Sequence, residues 1–485
     1  MSILYKIINW VIFLGYWIFI TFIIIKILNK RRTIPYSLSW ILIIYFLPLF
    51  GIITWIFFGE LYSDKKKDKI ASIILPQTTN WFNSLKINKS FFNIKNSDVA
   101  SSVFKLCKNR QCLSGIKCNK LELLTSTKKI IKIIIQDINL AKYNIEMVFY
   151  IWKPGGIVDE VAMALIKSSK RGILCRIILD SAGSIEFFKS PWVKIMRNSG
   201  IQIVEAMKVN LFRIFLRRVD LRQHRKVILI DNYIAYTGSM NLIDPLFFKQ
   251  SLGIGQWVDI MARMEGPIAA TIGIVYSFDW EIETGKRILP IFNVNYKKNN
   301  FKNKNVIQVI ASGLGFPENM IHQVLLTVFY SAKKRLIITT PYLVPSDDLL
   351  HAICTASHRG VKVTIIIPKN NDSLLVHWAS KAFFTELLES GVKIYQFKKG
   401  LLHTKSILVD NQLSVIGTVN LDMRSIWLNF EITLIIDDKL FSKNLYCIQK
   451  EYINNSILIN KKLWNTRSIW KKIIEKIFYF FSPLL

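Results

Sequence analysis

Acid is scarce in this chain. Only 33 Asp and Glu stand against 65 Lys and Arg, leaving a formal charge of +32 over 485 residues. That imbalance points to an anionic partner: nucleic acid, an acidic membrane surface or a phosphate-bearing substrate. Its weight is limited, because Ile, Lys and Asn crowd the whole sequence and part of the charge follows from that bias. Cysteine offers no metal cluster. Cys107, Cys112 and Cys118 lie close together, but no fourth ligand and no histidine is near them, so a zinc site is not expected. Cys175 and Cys354 sit in apolar stretches and read as small core residues. Unpaired thiols fit a reducing compartment. There is no P-loop and no dinucleotide glycine pattern, so no nucleotide cofactor is expected. Four of the six histidines, His322, His351, His358 and His377, stand in helical stretches without supporting neighbours and read as packing or surface groups.

Charge is absent from two long runs near the start, residues 7–25 and 33–59. Each is long enough to cross a bilayer core. Lys26, Lys30, Arg31 and Arg32 make a basic turn between them. The pair reads as a transmembrane hairpin over residues 1–62, with helices at about 7–28 and 36–58. The first run is too long for a cleaved signal peptide and lacks a small-residue cleavage site. Trp40 and Trp55 suit the interfacial zones, and Pro48 should kink the second helix. The turn carries four positive charges and the outer flanks five (Lys6, Lys65, Lys66, Lys67, Lys69), which leaves orientation open.

The two remaining histidines carry the strongest signal. His224-Arg-Lys226-Val-Ile-Leu-Ile-Asp231 returns as His403-Thr-Lys405-Ser-Ile-Leu-Val-Asp410, both H-x-K-x4-D. Gly238, Ser239 and Asn241 follow the first histidine at the offsets at which Gly417, Thr418 and Asn420 follow the second. One copy would be a weak match; two with the same downstream spacing indicate internal duplication. The aliphatic run between His and Asp reads as a buried strand. Residues two apart on a strand share a face, so His224 and Lys226 project together, as do His403 and Lys405. Imidazole, ammonium, hydroxyl and amide together make a phosphate pocket. Two half-sites facing each other would set two histidines across one phosphorus, one to attack and one to protonate the leaving oxygen.

The surrounding elements repeat as well. Residues 146–152, 159–169, 174–180 and 191–198 read as strand, helix, strand, helix, and residues 336–342, 347–357, 361–368 and 374–389 repeat that order. Lys170-Arg171-Gly172 matches His358-Arg359-Gly360, and Asn198-Ser199-Gly200 matches Glu389-Ser390-Gly391, each glycine capping a helix. Alternating strands and helices predict α/β lobes with mixed sheets. The lobes are placed at 113–289 and 290–460, after a linker and domain edge at 63–112. A basic, apolar insert at 207–223 precedes the first motif; it reads either as a lipid-surface contact or as a helix on its own lobe. In segment 461–485, Ile469, Trp470, Ile473, Ile474, Ile477 and Phe478 form an apolar stripe opposed by Arg467, Lys471, Lys472 and Lys476. A helix closing the second lobe and an interfacial helix both fit that stripe, whereas the aromatic tail favours a membrane.

The paired motifs resemble the signature of the phospholipase D superfamily. The resemblance narrows through Gly417-Thr-Val-Asn420-Leu-Asp-Met-Arg-Ser425-Ile-Trp-Leu-Asn429-Phe-Glu431, Leu179-Asp-Ser-Ala-Gly-Ser184, Gly255-Gln-Trp-Val-Asp259 and Gly266-Pro267. With the N-terminal hairpin, these are similar to the bacterial cardiolipin synthases over nearly the whole chain. The resemblance implies two phospholipase D-like α/β/α lobes related by a pseudo-two-fold axis. It implies transfer of a phosphatidyl group between two phosphatidylglycerols through a phosphatidyl-histidine, with His224 the nucleophile and His403 the acid and base. Lys226 and Lys405 would neutralise the phosphate, and Ser239, Asn241, Thr418 and Asn420 would complete its cradle. Asp259 and Glu431, acids in apolar runs, would orient the histidines. Asp231 and Asp410 belong to the motif but are expected to brace the fold. No metal is required, and the partners are phosphatidylglycerol and anionic membrane lipids, not nucleic acid. The setting implied is the bacterial cytoplasmic membrane, with the large domain in the cytoplasm. A hydrolase using water, a non-catalytic membrane scaffold, and a synthase with another donor or acceptor lipid remain the alternatives.

Overall fold

A computed structural model describes residues 2–29, 34–55, 96–111, 113–208, 221–289 and 305–480. They fall into two compact units. In the N-terminal unit a helix spans Ser2–Leu28, and its stretch Tyr5–Leu28 is long and apolar enough to cross a membrane. The second expected helix is not continuous. It runs Ile34–Phe46, breaks at Leu47 (φ −132°) and resumes as Pro48–Thr54; residues 56–58 lie outside the described set. The cause is Pro48, which has no N–H to give and whose ring clashes with the carbonyl four residues back. Gly51 lets the short helix close on the preceding one, since a Cβ there would lie 2.7 Å from Ile44 Cα. Ile20, Ile23, Ile27, Ile44, Ile52 and Trp55 make a small buried cluster, while Trp10, Val11 and Phe22 stay exposed on a surface suited to acyl chains.

In the larger unit the chain enters through a helix, Asp98–Gln111, within the stretch expected to be linker. Ala100, Val103, Phe104 and Cys107, spaced to fall on one helical face, pack into the second lobe's core. Strand Ile116–Lys117 likewise pairs with Val306–Ala311 of the second lobe. The chain therefore touches the second lobe before it builds the first. Cys107 is buried in the second lobe's own core and Cys118 in the core that the two lobes share, and burial pushes each thiol up to about 12. Cys112 and most of the 207–223 insert lie outside the described residues.

The first lobe is a seven-stranded mixed sheet. Its strands lie in the order Lys120–Leu124, Met261–Glu265, Ile234–Gly238, Val227–Ile230, Asn144–Phe149, Leu174–Asp180, Gln202–Ala206. The second lobe repeats that order with Val306–Ala311, Ile432–Asp437, Leu413–Gly417, Ser406–Val409, Arg335–Thr339, Lys362–Pro368 and Lys393–Phe397. It adds an edge strand at each end, Ile116–Lys117 and Ser456–Leu458. The last three strands of each seven are parallel. The matched glycines sit at matched angles: φ 87° and 86° at Gly172 and Gly360, 89° at both Gly200 and Gly391.

Strand periodicity explains how the lobes join. In the first motif strand Val227 and Leu229 face one way and Ile228 and Ile230 the other. Val227 and Leu229 share a core with Leu408 of the second motif strand, with Ile337 and Ile366, and with the helix Ile268–Thr284. That helix is apolar almost all round, so it is buried almost all round. The opposite faces build each lobe's own core under its outer helices.

Candidate active site

Each motif strand turns back on itself at its aspartate. Asp231 and Asn232 sit at φ 54° and 50°, Asp410 and Asn411 at 51° and 54°, the tight hairpin geometry that Asp and Asn tolerate. Asp231 accepts backbone N–H groups from Lys142, Tyr143 and Asn144 at 2.8, 2.7 and 3.1 Å. Asp410 does the same for Lys333, Lys334 and Arg335 at 2.9, 2.7 and 2.8 Å. Each thus pins the start of the neighbouring strand. Both lie at the far end of the motif strand from its histidine, about 20 Å away at the rise of an extended chain. Their hydrogen bonds go to the scaffold.

The histidines are brought together by strands that cross between the lobes. Leu401–Leu402, just before His403, runs parallel to Trp257–Val258, just before Asp259. His403 N then donates to Val258 O at 2.9 Å. In the other half Gln223 bridges Phe430, His224 N donates to Phe430 O at 3.0 Å, and Phe430 N donates to Arg222 O at 2.9 Å. Each histidine is therefore laid beside the acid of the other lobe. His403 Nδ1 lies 2.7 Å from Asp259 Oδ1, and His224 Nδ1 lies 2.8 and 2.9 Å from the two oxygens of Glu431. A carboxylate acceptor fixes the ring proton on Nδ1 and leaves the Nε2 lone pair for chemistry.

Burial sets the protonation states. Both histidines are pushed down to about 4, first by burial; Glu431 opposes this at His224, whereas at His403 the Lys405 charge adds to it. Lys226 and Lys405 are less than one-twentieth exposed, and burial brings them down to about 8 and about 7. Their ammonium groups donate to the carbonyls of their own motif histidines, Lys226 to His224 O at 2.8 Å and Lys405 to His403 O at 2.6 Å. Burial raises Asp259, but His403 and Lys405 outweigh it and hold the carboxyl below its ordinary range. The lysine of each motif also acts on the histidine of the other, so the two half-sites share one electrostatic field. Two neutral imidazoles thus stand beside two buried amines that carry charge near neutral pH, an arrangement that suits an anion.

The expected cradle is only partly open to such an anion. Thr418 Oγ1 donates to Glu431 and accepts from Ile432 N at 2.9 Å. Ser239 Oγ accepts from Ile260 N at 3.0 Å and lies within hydrogen-bonding reach of Asp259. These hydroxyls back the acids instead of facing the pocket. Asn241 Oδ1 accepts from Ile151 N at 3.2 Å. Asn420 lines a cavity with Lys405, and its buried Oδ1 has no partner.

Several supporting groups escaped the sequence reading. Tyr150 packs edge-on to His224 at 5.0 Å, with Lys226 Nζ 5.6 Å from the same ring. Trp257 packs on His403 at 4.3 Å. Asn429 Nδ2 donates to Glu431 Oε1 at 3.1 Å. Arg225, fully buried inside the first motif, pairs with Asp279 and donates to Glu431 O (3.1 Å) and Ser312 O. Its counterpart Thr404 reaches Val258 O and the Tyr452 hydroxyl. A charged residue between His and Lys in one motif, against Thr404 in the other, was the available signal for Arg225. Among the described residues no group of three or more His, Cys, Asp or Glu could hold a metal ion. The other histidines stand apart: His322 stacks on Trp427, and His377 meets Lys381 at 2.8 Å.

The family described as "Cardiolipin synthase, PLD-like domain" matches residues 134–250 and 325–452, one match per lobe, and "Phospholipase_D-nuclease N-terminal" matches residues 16–60. The chain is 66% identical to Cardiolipin synthase A of Buchnera aphidicola from Acyrthosiphon pisum, 64% to that from Schizaphis graminum and 60% to that of Escherichia fergusonii, each over 100% of both chains. The chain belongs to the cardiolipin synthase family. Its fold matches the crystal structure of phosphatidylserine synthase from Haemophilus influenzae at a TM-score of 0.58, over 79% of this chain and 99% of that one, at 16% identity. As a member of the cardiolipin synthase family it is an enzyme, a phosphatidyltransferase with two phospholipase D-type lobes, and it is associated with membranes.

Proposed function

We propose that this chain joins two phosphatidylglycerol molecules into cardiolipin and glycerol. The crossed pairing carries the reading: each buried, neutral histidine is aimed by the acid of the opposite lobe and flanked by a buried ammonium group. His224 Nε2 attacks phosphorus of the first lipid, the bond to its headgroup glycerol breaks, and His403 gives that oxygen a proton. His403 obtains this proton once the anionic phosphodiester is bound, since negative charge beside the ring favours the imidazolium. The headgroup hydroxyl of a second phosphatidylglycerol then gives its proton to His403 and attacks phosphorus. The N–P bond breaks and cardiolipin leaves. The two lysines neutralise the non-bridging oxygens in a water-poor site, where fixed charge is most effective. One phosphodiester replaces another, so the exchange balances without an energy source.

The assignment of His224 as nucleophile rests on family resemblance. The same resemblance, with the apolar helix Tyr5–Leu28, supports a multi-pass protein of the bacterial cytoplasmic membrane whose larger unit faces the cytoplasm. Purified full-length protein given phosphatidylglycerol vesicles should release glycerol and cardiolipin in equal amounts. Phosphatidic acid in place of cardiolipin would make it a hydrolase and overturn the reading.

A further inference from the structure

The C-terminal helix Ile469–Tyr479 faces the wrong way for a helix that closes a core. Its inward contacts come from Glu475, bonded to Arg467 at 3.0 Å, from Phe478, stacked on Trp378 with centroids 6.4 Å apart, and from Tyr479, edge-on to Phe383 at 5.4 Å. Its apolar stripe points out: Trp470, Ile473, Ile477 and Phe480, at helical spacing, are 72, 40, 53 and 85% exposed. Lys471, Lys472 and Lys476 are exposed beside the stripe. An aromatic and aliphatic face bordered by lysines is the composition of a helix lying in the headgroup region of an anionic bilayer.

The helix that receives Phe478 leads from this stripe towards the surroundings of His403. Leu374–Ala382 carries Trp378 in its middle and, one turn earlier, Leu374 and Leu375, which are also exposed. Two residues before Leu374, Asp372 accepts Lys249 Nζ of the first lobe and the Tyr342 hydroxyl, each at 2.8 Å. Two residues before Lys249 stands Phe247, 68% exposed. The next residue, Phe248, packs on Trp257 at 5.0 Å, and Trp257 packs on His403. An ion pair between the lobes thus sits one aromatic layer from a catalytic imidazole, with bare apolar side chains on both sides of it.

We propose that the stripe of Ile469–Tyr479 and the rim formed by Phe247, Leu374 and Leu375 are one docking face for an anionic phospholipid bilayer, on which the mouth of the active site opens. Water-exposed apolar residues cost least where acyl chains replace the water. The lysines meet the headgroup phosphates. Both lipid substrates then reach the histidines from the leaflet against which the face rests. The inference rests on the lipid-transfer reading above and adds where the lipid enters.

Full-length protein with Trp470→Cys, in a Cys112→Ser/Cys447→Ser background, takes an environment-sensitive fluorophore at position 470. Reconstituted into phosphatidylglycerol vesicles, the probe should be quenched by brominated acyl chains. Burial against a second copy of the chain would shield it from water but leave it unquenched, and that result overturns the proposal. In parallel, Trp470→Glu/Ile473→Glu and Phe247→Ser/Leu374→Ser should each lose about tenfold or more of cardiolipin synthesis in vesicles. Each should lose less than about twofold on detergent-dispersed short-chain phosphatidylglycerol. Equal losses in both assays overturn the docking face. If the unaltered enzyme makes no cardiolipin in detergent either, the functional reading fails, whatever the probe reports.

Discussion

Replacing Lys405 with methionine should make the protein more stable and inactive at once. The amine is buried, and its pKa falls from 10.5 in a free chain to about 7. At pH 7 the folded state therefore holds this group at a cost of about 4 kcal/mol relative to the unfolded chain. Methionine fills a similar volume without charge. Against the gain stands the lost hydrogen bond to His403 O, about 1 kcal/mol; the attraction to Asp259 and Glu431 is already contained in the lowered pKa. A net gain of about 2–3 kcal/mol remains, which raises Tm by about 3 °C for a unit of this size. The sign also depends on pH. The folded lysine has the depressed pKa, so between about 7 and 10.5 the unfolded chain binds more protons and wild-type stability rises with pH. At pH 10 the variant's advantage should shrink below about 1 kcal/mol. Full-length protein in one detergent, melted at one scan rate at pH 7 and pH 10 with tryptophan fluorescence, reads both values. A variant no more stable at pH 7, or an advantage undiminished at pH 10, would refute the argument that the ammonium is held there at a cost. Activity should fall at least about 10²-fold, because one of the two motif lysine charges is lost.

Glu431→Gln and Asp259→Asn should each lower kcat on the order of 10³-fold with circular dichroism unchanged, since an amide can hold the imidazole in the wrong tautomer; near-normal turnover in either would remove the crossed acids from the mechanism. The pH dependence of kcat/KM should fall on the acid side near 4, where the histidines of the free enzyme gain protons, and on the alkaline side near 7–8, where the lysines lose them; an alkaline limb above about 9 would show that the lysines are not desolvated. Asp410→Ala removes the acceptor for three backbone N–H groups and should cost about 1–3 kcal/mol of stability while kcat at low temperature stays within a few-fold; a collapse of kcat with Tm unchanged would give that aspartate a chemical role.

Some of this was legible in the residues and some was not, for physical reasons that differ. The duplicated motif could be read because everything it needs is local: an aliphatic strand, a lysine two residues from a histidine, a tight turn at Asp231 or Asp410. The seven-strand order repeats for the same reason, each element carrying its own period and cap. The segment around helix Asp98–Gln111 reads as linker and the edge of the first domain because Lys, Asn and Ser dominate it, although Ala100, Val103, Phe104 and Cys107 hold helical spacing and pack into the second lobe. The C-terminal stripe announced an amphipathic helix but not which side water would take, because a core and a bilayer ask for the same residues. In the structure Glu475, bonded to Arg467, is the one buried residue of the helix, and Trp470, Ile473 and Ile477 are left exposed.

The crossing of the acids was beyond any local signal. Glu431 is 207 residues from the histidine it holds, and Asp259 is 144 from His403. Each lies closer in sequence to its own lobe's histidine, so spacing suggests the wrong partner. Only the docking of two sheets about a shared core, with Leu401–Leu402 on Trp257–Val258 and Gln223 on Phe430, makes the exchange. The exchange has a consequence for the fold. Within one lobe the histidine has no carboxylate and the carboxylate no histidine, so neither copy of the motif is a half-enzyme. The apolar helix Ile268–Thr284, whose Asp279 holds the Arg225 that reaches Glu431 O and Ser312 O of the other lobe, is therefore as much a condition of the proposed chemistry as the imidazoles themselves.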